Sequence, residues 1–157
     1  MKKILMIIFA SVLVGCATTP PPPAPTPAQI QSIQSREFDT TKTIAFASVI
    51  SVFQDLGYTI ASADKETGFI TSASASTSKT DYWFTGQTIN TQTKATAFLE
   101  DMPNNRARVR LNFVVTNKAS TVYGQNRDSD VPILDAKVYE SKIQKIDDAI
   151  FTRSATK

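Results

Sequence analysis

The sequence predicts an α+β domain in which a mostly antiparallel sheet of four or five strands carries two helices on one face. Three observations lead to this prediction: two stretches with the apolar period of an amphipathic helix, two stretches with the alternation of a β-hairpin, and their order along the chain. The elements follow one another as β-α-β-β-β-β-α. Placing both helices on one face of the sheet is the economical way to bury two apolar helix stripes.

The first helix is predicted to end at Leu56 and to follow a short strand at Arg36–Thr40. Thr41 and the two residues before it have side chains that can accept hydrogen bonds from the free N–H groups of a helix start. Gly57 suits the left-handed cap that ends many helices. One broad face of the helix is apolar and is expected to lie on the sheet. It comprises Ala45, Phe46, Val49, Ile50, Val52, Phe53 and Leu56.

A hairpin follows this helix, and a second helix closes the domain. The hairpin pairs Tyr58–Ala63 with Phe69–Ser74 around a turn at Asp64–Gly68. Asp135–Phe151 is predicted to form the second helix, because its apolar residues recur with the helical period. The stripe that is expected to face the core comprises Ala136, Tyr139, Ile143, Ile146 and Ile150.

The longest alternating stretch, residues 93–116, predicts a second hairpin around a turn at Asp101–Asn105. Pairing Glu100 with Arg106 sets Ala97 against Val109 on the inner face of this hairpin. The strand after the turn has two distinct faces, because successive side chains point to opposite sides. Its apolar face comprises Ala107, Val109, Leu111, Phe113 and Val115, and its basic face comprises Arg106, Arg108 and Arg110.

The composition limits the chemistry that the chain can perform. The 157 residues are 41% hydrophobic and 20% charged, which is typical of one folded domain. There is no histidine, which excludes a Ser-His-Asp triad and removes the commonest metal ligand. A single cysteine excludes an intramolecular disulfide and a thiolate zinc site. Without Lys2 and Lys3 the chain has 15 basic residues against 14 acidic ones, a balance that does not indicate a nucleic-acid partner.

Residues 1–15 have the features of a secretory signal peptide. Lys2 and Lys3 precede an apolar run that is too short to span a bilayer, since spanning takes about 20 residues. The run ends in Leu-Val-Gly-Cys, which resembles the lipobox of bacterial lipoproteins. The resemblance implies cleavage between Gly15 and Cys16, a diacylglycerol on the sulfur and an acyl chain on the freed amine. Two or more chains anchor a protein stably, whereas one holds it only marginally. The alternative is an ordinary signal peptide with a chance cysteine.

The residues after the cysteine indicate which membrane holds the protein and how far the folded domain lies from that membrane. Ala17 stands where an aspartate retains enterobacterial lipoproteins in the inner membrane, so the outer membrane is favoured. The domain would then face the periplasm, and exposure at the cell surface stays open. Residues 16–35 are predicted to be the lipidated cysteine and a proline-rich linker, followed by the folded domain at 36–153. Six prolines between Pro20 and Pro27 favour extended polyproline II, and the 11 residues from Thr18 to Ala28 would form a spacer of about 34 Å at roughly 3.1 Å per residue.

The folded part resembles a group of small, largely uncharacterised proteobacterial lipoproteins. The resemblance rests on Arg36–Thr40, on the run from Val52 to Ser74 and on the late helix with the sequence VYESKI. In these proteins an arginine-led strand precedes a helix that ends in a Leu-Gln-Asp-Leu-Gly-aromatic run, and here Phe53 replaces the first leucine. The order of elements also resembles the helix-grip domains of the C subunit of the β-barrel assembly machinery. Both resemblances imply structure, and a shared fold does not transfer function.

The sequence contains no catalytic constellation. Asp147 and Asp148 are adjacent on the last helix and point about 100° apart, whereas acid-base catalysis needs converging carboxyl groups. Asn126, Asp128 and Asp130 are spaced like the start of a calcium loop, but the glycine and the glutamate that such a loop needs are missing. The prediction is therefore a non-enzymatic protein without a cofactor or metal.

Two surface features are candidates for partner binding. The first is the aromatic run Tyr82-Trp83-Phe84, which cannot bury all three side chains in one core, because alternation turns at least one outward. The alternative is a loop that folds back and buries Trp83 under a helix. The second feature is a basic stripe, which suits lipid head groups, a glycan or an acidic protein, unless it is simply a solvated sheet face. The stripe comprises Lys94, Arg106, Arg108 and Arg110.

These observations predict an envelope lipoprotein, anchored at Cys16, that acts as a binding or scaffolding subunit of an outer-membrane assembly, secretion or transport complex. Its expected partners are the membrane, through the lipid, and other envelope proteins. The alternative is a periplasmic protein that binds a small ligand or a lipid in a pocket between the sheet and the helices.

Overall fold

The computed structural model describes residues 25–81, 83 and 86–155. Within them, seven strands form one antiparallel sheet and three helices accompany it, which confirms the predicted α+β class. The sheet has seven strands where four or five were predicted, and the domain has three helices where two were predicted. In chain order the elements are α1 (Pro27–Gln34), β1 (Ser35–Phe38), α2 (Lys42–Asp55), β2 (Tyr58–Asp64), β3 (Phe69–Ser74), β4 (Thr77–Asp81), β5 (Gln87–Met102), β6 (Arg106–Thr121), β7 (Asn126–Pro132) and α3 (Ala136–Ala155).

A long hairpin, β5–β6, runs through the whole sheet. Each strand has 16 residues, and they pair without a break from Gln87–Thr121 to Met102–Arg106. In the half next to the turn, the near half, β5 pairs with β3 and β6 pairs with β1. In the other half, the far half, β5 pairs with β4 and β6 pairs with β7. The near half is therefore a section of five strands and the far half a section of four, and the two sections share only β5 and β6.

The register of this hairpin differs from the predicted one by two residues. Glu100 pairs with Arg108, not with Arg106, and Ala97 lies opposite Leu111. The turn is shorter than predicted, because Asn104 and Asn105 both adopt left-handed backbone angles, with φ of 63° and 58°. Asparagine tolerates this conformation better than most residues. A shift of two residues keeps every side chain on its predicted face, so the predicted core is unaffected.

The core lies between the near half of the sheet and the two helices α2 and α3. The predicted apolar helix stripes are buried there, with the exception of Ala136, which is exposed, and of Ile50 and Leu56, which are half-buried. The predicted apolar face of β6 is also buried there, except for Val115, which is half-buried and lies outside the core beside β7. Thr41 caps α2 by accepting a hydrogen bond from the Ile44 N–H at 3.3 Å. The largest fully buried side chains are Tyr139, Phe53, Phe113, Ile70, Leu99, Leu111 and Ile146.

The hydroxyl group of Tyr139 closes a gap at the edge of β6. There β6 has left β1, whose last pair is Ser35–Arg110, and has only just met β7 at Val114. The Phe113 N–H donates to the Tyr139 oxygen at 3.3 Å, and the Tyr139 O–H donates to the Ile133 carbonyl at 2.9 Å. Gln34 Nε2 donates to the same oxygen at 3.3 Å. One donor and two acceptor positions of the hydroxyl are thus all used.

The structure corrects the predicted extent of the linker. Residues 27–34 were expected to belong to it, but they form α1, which packs beside β1 and α3. Thr26 starts this helix with a capping box: its hydroxyl accepts from Gln29 N at 3.4 Å, and its own N–H donates to Gln29 Oε1 at 2.8 Å. Pro27 at the first helical position needs no hydrogen-bond partner. The predicted signal peptide, Cys16 and the linker up to residue 24 lie outside the described residues.

No helix in the described part of the chain is long and apolar enough to cross a bilayer.

Replacing Tyr139 by phenylalanine is expected to lower the free energy of unfolding by about 1–3 kcal/mol, because the Phe113 N–H and the Ile133 carbonyl lose a buried partner while the ring remains. Urea unfolding followed by circular dichroism measures this change. The matched control is Tyr123→Phe, which removes an exposed hydroxyl and should change stability by less than about 0.5 kcal/mol. Equal stability of the two variants would contradict the proposed role of the Tyr139 hydroxyl.

Candidate binding surfaces on the sheet

The predicted basic stripe lies on the open face of the sheet, opposite α2 and α3. Side chains of even-numbered residues on β5 and β6 point to this face, because the odd-numbered ones, such as Leu99 and Leu111, are buried against the helices. The structure does not bring all four cations of the stripe together. Lys94 pairs with Val114, four residues along β6 from Arg110. Arg106 and Arg108 lie together near the turn, whereas Arg110 and Lys94 lie farther along the hairpin and apart from each other.

Arg106 and Arg108 are paired with the carboxylates of Glu37 on β1 and Glu100 on β5. Glu37 lies directly opposite Arg108, and its two carboxylate oxygens accept from Arg106 and from Arg108, each at 2.8 Å. Arg108 also lies 3.7 Å from Glu100. The hydrogen bond from Arg108, together with the positive charges of both arginines, holds the pKa of Glu37 below its usual range, although partial desolvation opposes this. This half of the stripe is an ion-pair network and not a free cationic surface.

Arg110 and Lys94 differ from these two arginines. Among the described residues, no carboxylate oxygen lies within 4.0 Å of either cation. The guanidinium group of Arg110 donates to Gln34 Oε1 at 3.4 Å, and Gln34 itself is buried and bonded to Tyr139. The link through Gln34 ties Arg110 to the same Tyr139 hydroxyl that closes the sheet.

A groove of about 550 Å³ runs across the open face beside Arg110. Its floor is apolar: Phe69 is 51% exposed, and its ring lies 5.0 Å from that of Phe98. Phe98 is the cross-strand neighbour of Arg110, so the apolar floor adjoins the cation directly. The remaining lining residues are Ile30 and Gln34 of α1, Thr96 and Ala97 of β5, Asn112 of β6, Pro132 at the end of β7 and Leu134 in the segment that follows it. No sequence pattern pointed to this groove, because α1 forms one of its walls.

A second surface is the tip of the far half, where the β4–β5 and β6–β7 turns meet. Trp83 in the first turn is 91% exposed, and Val122 and Tyr123 in the second are 73% and 88% exposed. The turns touch, since a Cβ atom added to Gly86 would lie 3.2 Å from Val122 Cγ1. Trp83 is therefore on the surface and not under a helix. Tyr82 and Phe84, its predicted companions, lie outside the described residues.

The acidic spacing that suggested a calcium loop falls on a strand. Asn126, Asp128 and Asp130 alternate along β7 and pair with Ser120, Lys118 and Thr116 of β6. In the portion of the chain that the structure describes, no cluster of three or more cysteine, aspartate or glutamate side chains could hold a metal ion.

The likeness of the chain to known proteins is distant. No protein-family model matches the chain, and no curated protein matches it. Among solved structures, a DUF4468 family protein from Bacteroides ovatus is similar over 78% of this chain and 82% of its own chain, with 10% sequence identity and a TM-score of 0.35. At this TM-score the likeness supports no inference about function.

The Glu37 network predicts a pH dependence of stability. Because the folded state lowers the pKa of Glu37 from 4.5, its contribution is complete above about pH 4.5 and is lost as the pH falls through the lower, folded-state pKa. Glu37→Gln is expected to lower the melting temperature modestly at pH 7, and the difference from the parent protein should shrink as the pH falls below 4.5. Thermal melts between about pH 3 and 7 test this.

The control for this measurement is Glu140→Gln, which neutralises an exposed carboxylate on α3. The difference in melting temperature between Glu140→Gln and the parent protein should stay the same across the pH range. If the difference for Glu37→Gln also stayed the same at every pH, the ion-pair network would make no measurable contribution.

Proposed function

We propose that this protein is a non-enzymatic lipoprotein of the bacterial envelope that is anchored in the outer membrane through Cys16. Its α+β domain would face the periplasm and act as a binding or scaffolding subunit of an assembly, secretion or transport complex. The lipobox-like end of the signal segment supports the anchor. The observation that supports partner binding is the exposed tip formed by Trp83, Val122 and Tyr123.

The tip is suited to insertion into a pocket of another protein. Its three exposed apolar side chains come from two turns that approach each other at Gly86 and Val122, and large exposed apolar side chains gathered in one region are typical of interaction sites. Tryptophan and tyrosine are enriched among the residues that contribute most to interface energy. The backbone of Trp83 is restrained, because its main-chain N–H donates to the Asp81 carboxylate at 3.1 Å.

The far half of the hairpin carries this tip away from the core. From Val114, where β6 meets β7, to Thr121, β6 extends for about 24 Å at roughly 3.4 Å per residue. Of the far-half residues on β5 and β6, Thr116 alone is buried, so the helices do not cover this section. A projecting sheet with an aromatic end reaches a partner without exposing the core of the domain.

A second candidate function, binding of a small ligand or lipid, is favoured by the groove on the open face. The space between the sheet and helices α2 and α3, where the sequence placed the pocket, is filled by buried core side chains. The groove lies on the other side of the sheet, beside Arg110.

The lipid anchor predicts that cells fed an alkyne-labelled fatty acid will label the protein, and that Cys16→Ser will abolish the label. The result is unambiguous because the chain has one cysteine. The unlabelled variant should also lose its outer-membrane fractionation. Thr18→Ala, two residues away, is the matched control and should keep both properties. Label that persists in Cys16→Ser would contradict the anchor.

Partner binding by the tip predicts that a photoreactive amino acid at position 83 or 123 will form one defined protein adduct in intact cells. With the photoreactive group at position 123, Trp83→Ala should reduce that adduct at least severalfold, because it removes a neighbouring contact. A photoreactive group at position 151, in place of the exposed Phe151 on α3, is the matched control and should not give the same adduct. Adducts to phospholipid at the tip, or an identical adduct from position 151, would contradict a protein-binding tip.

A further inference from the structure

We propose that the groove on the open face binds a single-chain amphiphile that ends in an anionic group, either a carboxylate or a phosphate monoester. The chain would lie on the phenylalanine floor and the anion would bind Arg110. This inference rests on the second candidate function and not on the partner-binding tip, with which the groove shares no residue.

The apolar part of the groove fits a hydrocarbon chain. Phe69 and Phe98 form a continuous aromatic floor, and Ile30 of α1 and Leu134 beyond β7 line the same groove. These residues come from parts of the chain that are far apart in sequence, so the fold assembles a concave apolar site. Small-molecule sites are typically clefts of about 300–1,000 Å³ with apolar linings and a few placed polar groups. The volume of about 550 Å³ lies within that range.

The charged side chains around the groove favour a ligand with a negative charge. Arg106 and Arg108 are engaged in ion pairs with Glu37 and Glu100, whereas Arg110 has no carboxylate partner among the described residues. The hydrogen bond to Gln34 uses one of the five guanidinium N–H donors and restrains the group, which leaves donors for a ligand anion. Guanidinium groups bind carboxylates and phosphates with two parallel hydrogen bonds.

The orientation of the ligand follows from the row of residues across the sheet. One row of cross-strand neighbours consists of Asp64, Phe69, Phe98 and Arg110. Asp64 accepts hydrogen bonds from the Thr67 side chain and the Glu66 N–H, and these hold its pKa below the usual range. An anion is therefore repelled at the Asp64 end and attracted at the Arg110 end. Lys94 lies on the same face of β5, two residues beyond the groove-lining Thr96.

The test is isothermal titration calorimetry on the full chain carrying Cys16→Ser, so that no acyl anchor of its own competes for the groove. The probes are decanoate and decyl phosphate, with decyl maltoside as the uncharged control, each below its critical micelle concentration. The wild-type groove should bind at least one of the two anions, and the pair of probes distinguishes a carboxylate from a phosphate ligand. Decyl maltoside should bind more weakly than either bound anion.

Arg110→Gln should weaken anion binding about tenfold or more, since it removes a charged hydrogen-bond donor. The matched control, Arg127→Gln, removes an exposed arginine on the opposite face of β7 and should bind like the parent. Ile30→Asp, which places a negative charge at the apolar wall, should weaken binding independently of Arg110. Circular dichroism melts establish that each variant is folded before it is titrated.

Four results would overturn the proposal: no binding of either anion, equal binding by Arg110→Gln, an equal loss in Arg127→Gln, or equally tight binding of decyl maltoside. A short apolar peptide with a free C-terminal carboxylate is titrated in parallel. If it bound in an Arg110-dependent way while the decyl anions did not, the groove would be a peptide site instead.

Dimerisation that Ile30→Asp abolished, measured by sedimentation, would assign the groove to a second copy of the chain. Failure in these titrations leaves cross-linking at positions 83 and 123 unaffected, so the two functions are tested separately.

Discussion

Near the midpoint of the long hairpin, the outer edge of β6 stops pairing with β1 and begins to pair with β7. The Tyr139 hydroxyl supplies the hydrogen bonds at this change of partner strand. The Phe113 N–H would otherwise be buried without a partner, at a cost of about 1–3 kcal/mol. By accepting from Phe113 and Gln34 and donating to Ile133, one oxygen joins β6, α1 and the segment that leads into α3. The strands β5 and β6 can therefore run through both halves of the sheet although they pair with β3 and β1 in the near half and with β4 and β7 in the far half.

This junction divides the molecule into parts with different surfaces. In the near half, α2 and α3 bury one face of the sheet and leave the other open. In the far half, strands β4 to β7 extend without helix cover to the aromatic tip. Gln34 connects the junction to the groove, because its amide bonds to Tyr139 on one side and to Arg110 on the other. A residue that stabilises the fold thus also positions the cation of the proposed binding site.

The candidate sites show where sequence reasoning succeeds and where it stops. Alternation correctly placed Arg106, Arg108 and Arg110 on one face, since strand periodicity is a local property. It could not show that Glu37, 69 residues from Arg106, forms ion pairs with two of them. The predicted register also set Phe98 opposite Arg108, whereas the shorter turn sets it opposite Arg110. The groove therefore depends on a two-residue difference in register, together with a helix that was expected to be linker.

By itself, the sequence determined the α+β class, the two core helices, the faces of the strands and a capped helix start within Asp39–Thr41, because each depends on the period or chemistry of neighbouring residues. The extent of the long hairpin, the docking of α1, the ion pairs of Glu37 and the exposure of Trp83 were decided only by the tertiary structure. The physical reason is that these features depend on residues far apart in the chain. A charged or aromatic side chain has the same sequence signature whether a distant partner covers it or leaves it free, and the folded structure supplies or withholds that partner.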